Sequence, residues 1–333
     1  MLSRDTNVIR CLFILILVVL TQGCSKELPT LTATSKNQLT QELVLQATLS
    51  KDNQHAYLMT QGPVFTRWNI ASGEPLQAMG TNELSRDTRS FAISDSEQRL
   101  VTSDGKSLSL WQLDDFSLLG SLDFRQQLGD AAITSMTFVS DNVLVTGNSD
   151  GSLIFADLNN QVFRQSHFHD NEVIKLLVSK NRDFLFSAGN DGKVVVTDLK
   201  VYATQNEYTT PFRITSMISN EDNSLFFISD ALNQQAFWRP WQNRILVELD
   251  YWQQYRFFRL GMFINSDKYL ITTSPKTEVS LWSTETGSEV ATWMATSQSM
   301  GSTVMDIQVL DSNQIITLTS DAVIETWDLS SLF

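Results

Sequence analysis

The sequence predicts an all-β protein built from seven repeats of one four-stranded antiparallel unit. Three observations carry this. A short β-rich phrase, "ETWDL" in its last copy, recurs along the chain; its seven copies lie 41 to 45 residues apart; and tight-turn phrases precede several of them. Self-similarity at a fixed period of this length marks a repeat architecture in which each unit is one supersecondary element.

Residues 1–23 come first and belong to no repeat. Arg4 and Arg10 outweigh Asp5, and "CLFILILVVL" at 11–20 is an unbroken apolar run. At about 1.5 Å per residue that run falls far short of a hydrocarbon core about 30 Å thick. A basic start, a short apolar centre and a small residue before a polar stretch form the layout of a secretory signal. Its end reads either as ordinary cleavage beside an incidental Cys or as a lipid-attachment site. "LTQGC" at 20–24 resembles a bacterial lipoprotein cleavage box: Gly23 and Cys24 match, whereas Thr21 and Gln22 depart from the usual aliphatic and small residues. The resemblance implies cleavage after Gly23 and a lipid on Cys24, and Ser25 in place of Asp implies outer-membrane sorting, facing the periplasm. Cys11 lies inside the signal, so Cys24 has no partner for an internal disulfide, and a lipid accounts for it.

Residues 24–40 form a linker and a spare strand, read from "ELPTLTATSKNQL" at 27–39 with "TLTAT" as its β-favouring run. Residues 41–333 hold the repeats. Their anchors are Trp68, Trp111, Ala156, Thr197, Trp238, Trp282 and Trp327. Ahead of four anchors stand "SDG" (103–105, 149–151), "NDG" (190–192) and "SD" (320–321), and Asp-Gly between apolar runs is a hairpin signal. Ahead of the turns lie β-rich runs such as "RLVTS" (99–103) and "FLFSA" (184–188). After most anchors a turn leads to an outer strand, such as "SEVATW" (288–293).

This grammar resembles the WD-repeat family over essentially everything after the signal, and the resemblance implies a seven-bladed β-propeller. In that family a Trp on the third strand, a Ser or Thr on the second, an Asp in the turn between them and a His before the first strand form a buried hydrogen-bonded network. The fourth repeat supplies His169, Ser187 and Asp191, with Thr197 in place of the Trp; the other repeats lack the His. The seventh has strands expected at 303–310, 315–320 and 322–328, and then five residues remain. Its fourth strand must come from elsewhere, because an open sheet edge is a liability. The spare segment at 27–39 is expected to supply it, as WD-repeat propellers commonly arrange.

Composition narrows the function. A formal charge of −13 argues against nucleic acid, whose phosphate backbone is bound through clustered Lys and Arg, so none is expected. No Gly-rich phosphate loop, nucleophile elbow or metalloprotease phrase is present. The three histidines are His55, His167 and His169. "HFHD" at 167–170 suggests a metal site, but His169 falls where the repeat wants its buried His and no second cluster completes a shell. No cofactor, metal or catalytic residue is expected.

The stretch "FWRPWQNRILVELDYWQQYRFF" at 237–258 stands apart in an acidic chain, rich in aromatics and Arg. Such residues fill blade interfaces or form protein–protein hot spots. Its loop "DYWQQYR" at 250–256 makes Tyr251, Trp252, Tyr255 and Arg256 the partner-binding candidates, while Trp241 falls in a third-to-fourth-strand loop on the opposite face. The expected function is a non-enzymatic, lipid-anchored scaffold docking an envelope protein or complex. The alternative is a propeller enzyme or ligand-binding protein acting on a polysaccharide or small molecule at the central channel.

Overall fold

A computed structural model describes residues 28–232, 234–251, 256 and 258–333; Cys24 and the expected signal at 1–23 lie outside them. The described chain is a seven-bladed β-propeller of four-stranded antiparallel sheets, with only short helical turns such as Arg125–Leu128. Blades one to six span residues 44–79, 90–123, 133–167, 173–209, 214–248 and 260–294. In each, successive strands pair in chain order. This locality follows from hairpin turns: Gly105, Gly151 and Gly192 take φ of 89°, 85° and 80°, which a side chain disfavours. In the seventh blade Ala322 adopts φ 56° where those three turns have Gly.

The last blade joins Val304–Asp311, Gln314–Thr319 and Val323–Asp328 to a strand from the other end of the chain, β1 (Ser35–Gln38). Ser35 faces Thr326 and Gln38 faces Val323, and the backbone pairing runs on through Thr34 N–H to Thr326 O (2.8 Å) and Leu39 N–H to Ala322 O (2.9 Å). The pairing falls on polar "SKNQ", not on the more β-favouring "TLTAT" ahead of it. That earlier run has another task. Leu31 and Ala33 pack on the cluster holding Trp293 of blade six and Trp327 of blade seven, and Pro29 O accepts from Thr292 N–H. An outer strand needs only backbone donors and acceptors, so polar residues serve there, whereas covering two tryptophans needs apolar ones.

The core is a set of interfaces between successive blades. Phe186 and Val196 of blade four meet Met217, Phe226 and Trp238 of blade five, and Leu39, Val44 and Leu58 meet Ile316, Leu318 and Ile324 where blades one and seven adjoin. Second and third strands are buried on both faces, as Phe226–Asp230 shows residue by residue. Trp238, Trp282 and Trp327 are among the largest fully buried side chains. Truncating one such ring to Ala costs about 3–5 kcal/mol.

Candidate functional site

The network implied by the resemblance is present in part. The indole N–H of Trp111, Trp282 and Trp327 donates to Thr102, Thr272 and Thr317 Oγ1 at 3.0, 2.8 and 3.0 Å, tying third strand to second in three blades. In blade four His169 Nδ1 lies 3.1 and 3.2 Å from the two Asp191 carboxylate oxygens, and Nε2 lies 2.7 Å from Ser187 Oγ. Nδ1–H donating to the carboxylate and Ser187 O–H donating to Nε2 satisfy all three groups. Burial, only partly offset by Asp191, holds the imidazole below its ordinary pKa, so it is neutral near pH 7. Thr197, in the Trp position, has a buried hydroxyl with no partner among the described residues.

Ser187, His169 and Asp191 are the residue types of a hydrolase triad, but Ser187 is wholly buried and His169 nearly so. A nucleophile must reach a carbonyl carbon, and this hydroxyl reaches only protein. The neighbouring "HFHD" side chains also diverge: His167 Nε2 lies 3.2 Å from Asp150 O, and Asp170 accepts from Lys193 Nζ at 2.7 Å. They do not converge on one point where a metal could sit.

The aromatic loop is the second site read from the sequence. Trp252 and Tyr255 lie outside the described residues. Tyr251 is half-buried, its ring 6.1 Å from Phe258 and 5.7 Å from Trp282, and its O–H donates to Arg256 O at 3.2 Å. Arg256 is a correction to the expectation of an exposed docking side chain. Its residue exposure is 7%, its guanidinium forks onto Glu289 (3.0 and 2.8 Å), reaches Glu278 (2.8 Å) and donates to Ser280, and it lies over the Trp282 ring. Arg256 stands four positions ahead of its blade's inner strand Leu260–Ile264, as His169 stands ahead of Val173–Val178. It is blade six's fastener, with Glu278 near the turn in the part Asp191 plays. Blade seven uses a third chemistry: buried Glu325 accepts from Thr296 N–H and Oγ1 at 2.7 and 2.6 Å. Sequence reading missed both devices, although the spacing of Arg256 from the next strand was a usable signal.

Two accessible features remain. At the mouth formed by the loops after the inner strands, a cavity of about 710 Å³ is lined by Lys51, Asp95, Lys180, Arg182 and Glu221 among others. These charges pair with one another: Lys51 with Asp95, Arg182 with Asp95 at 3.8 Å, and Lys180 with Glu221. Deeper, Lys175 on the inner strand of blade four has no hydrogen bond or ion pair among the described residues. Protein surrounds the solvent its side chain touches, and burial lowers its pKa against the raising effect of Asp306. Asp306, its own pKa raised by burial, accepts from Thr48 Oγ1 and Leu49 N–H at 2.8 and 2.7 Å, which joins blade seven to blade one. The other feature is Trp241, exposed in the loop between the third and fourth strands of blade five, where the sequence placed it.

No protein-family model and no curated sequence matches the chain. The WD-repeat resemblance therefore rests on the repeat grammar, the Trp–Thr pairs and the blade-four network.

Proposed function

We propose that this protein is a non-enzymatic scaffold, held to the periplasmic side of the bacterial outer membrane by a lipid on Cys24, that docks another envelope protein or complex. One observation carries the reading. The side chains best suited to chemistry are occupied inside the fold: Ser187, His169 and Asp191 satisfy one another, and the mouth carboxylates are paired. What the propeller leaves free is rigid surface, including the exposed ring of Trp241. A rigid ring with exposed aromatics suits binding without reorganisation cost. Trp252 and Tyr255 are proposed as a docking surface on the opposite face from Trp241. The test is recovery of a stoichiometric partner from detergent-solubilised membranes. Trp252→Ala with Tyr255→Ala should abolish recovery and leave Tm nearly unchanged, because a hot-spot ring contributes at least about 2 kcal/mol, roughly thirtyfold in affinity. A large fall in Tm would instead make these rings core.

The second reading, a ligand-binding channel, is favoured by the unpaired Lys175 beside the lumen and by the mouth cavity. Absence of any protein partner, together with saturable small-molecule binding lost in Lys175→Gln, would select it.

A further inference from the structure

The outer hairpin of blade five holds an arrangement that neither the fold nor the channel explains. Its strands Gln235–Arg239 and Arg244–Glu248 are joined by a single turn, Pro240–Gln242, with Asn243 in the left-handed region at φ 46°. Arg239 and Arg244 stand directly opposite each other across the base of this turn, and both are exposed. Neither guanidinium has an ion-pair or hydrogen-bond partner among the described residues. Like charges directly opposite on one sheet face oppose pairing. In a chain with 37 acidic residues against 24 basic ones, a carboxylate partner was available in composition, yet none is placed here.

The turn between the two arginines carries Trp241, 47% exposed. The ring is held in place: its centroid lies 4.7 Å from that of Phe184 of blade four, and Nε1–H donates to Asn223 O at 3.0 Å. Phe184 and Trp241 line a groove of about 450 Å³ between blades four and five, with Ser179, Asn181 and Asn223 around them and Lys180 and Asp222 at its rim. Alternation along the strand sets where the charges point. Trp238 packs toward blade four and Phe237 toward blade six, so Arg239, and Arg244 opposite it, fall on the blade-six side. Rings and guanidiniums thus flank the two sides of one hairpin tip.

We propose that this tip docks an acidic, extended segment of a partner protein carrying one bulky apolar residue. The apolar residue seats on Phe184 and Trp241, and carboxylates across the tip take the two guanidinium forks. A small anion would engage one side only; a chain crossing the tip engages both. Arg pairs carboxylates in bidentate geometry, and a fixed aromatic ring is a preferred anchor surface. A flat anionic bilayer would face the net-negative body of the molecule along with the tip, whereas a single extended acidic segment meets the two arginines alone. This inference rests on the docking function proposed above and assigns it a surface apart from Trp252 and Tyr255.

The test begins with a displayed library of random twelve-residue peptides selected on the whole protein. The selected pool should be rich in Asp and Glu around an aromatic or large aliphatic residue. A consensus peptide from it, read by fluorescence anisotropy, should lose at least about tenfold in affinity with Arg239→Glu plus Arg244→Glu, and similarly with Trp241→Ala. The double Arg variant removes no packed ring, so its melting curve should match wild type and any loss is a binding loss. A pool without acidic enrichment, or a consensus peptide indifferent to the double Arg variant, overturns the inference. So does Arg-dependent recruitment to phosphatidylglycerol vesicles in place of peptide. Co-purification separates the two ideas: a partner recovered equally by wild type and the double Arg variant keeps the docking function and sinks this surface. No partner for wild type sinks the docking function itself.

Discussion

Replacing Arg256 by Ala separates a fastener from a docking residue. The side chain is 5% exposed, and its partners Glu278 and Glu289 are 26% and 14% exposed. Removing one member of a buried ion pair costs about 3–5 kcal/mol, because the remaining charge is left desolvated. Here two carboxylates are left, but both keep some contact with water, which places the cost near the lower end, about 3 kcal/mol. Loss of the stem and guanidinium from the face of Trp282 adds to it. At roughly 2–4 °C per kcal/mol for chains somewhat shorter than this one, Tm should fall by roughly 5–10 °C. The assay is thermal unfolding followed by tryptophan fluorescence, with urea unfolding for the free energy. Arg256→Lys should recover only part of the loss, since an ammonium cannot fork onto Glu289. Adding Glu289→Gln to Arg256→Ala should be less costly than the two single changes summed, because it removes the stranded charge. A change within about 0.5 kcal/mol for Arg256→Ala, the usual range for a surface site, would refute the fastener and return Arg256 to the docking surface.

The other predictions concern pH, the seventh blade and the anchor. His169 is held below its ordinary pKa of 6.5 when folded, so the unfolded chain takes up the proton first as pH falls. Stability should be level in this respect above about pH 6.5 and decline below it; His169→Gln should flatten that slope between about pH 7 and 5.5, and equal slopes in urea midpoints would reject the neutral, buried imidazole. Deleting residues 28–39 should strip β1 from Val323–Asp328 and uncover Trp293 and Trp327, promoting aggregation. Buried Leu39 alone contributes about 1.5–3 kcal/mol, so a deletion melting like the intact chain would contradict the pairing. Cys24→Ala should move the protein from the membrane fraction to the soluble fraction or leave it unprocessed, and mass spectrometry finding a wild-type N-terminus well away from residue 24 would end the lipid assignment.

The repeat number and the strand order within each blade were legible in the residues themselves. The reason is locality: a blade is a run of hairpins, and each hairpin is specified by an alternating strand, a turn phrase and the next strand, all adjacent in the chain. His169, by contrast, was legible only through the family resemblance, which implies a His ahead of a blade's first strand, a Ser or Thr on its second and an Asp in the following turn. Two things were decided only by tertiary structure. Which part of 27–39 would pair was one, since β-propensity favoured "TLTAT"; the choice of Ser35–Gln38 depends on two tryptophans near the other end of the chain that needed Leu31 and Ala33. The direction of Arg256 was the other. An Arg among aromatics reads equally as a hot spot or as a buried cation until its carboxylates are located, and Glu289 lies 33 residues further on, brought beside it by the folding of blade six. A charge turns inward only where the fold supplies enough fixed acceptors to replace its water, and that supply is a property of assembled blades, not of any one stretch of sequence.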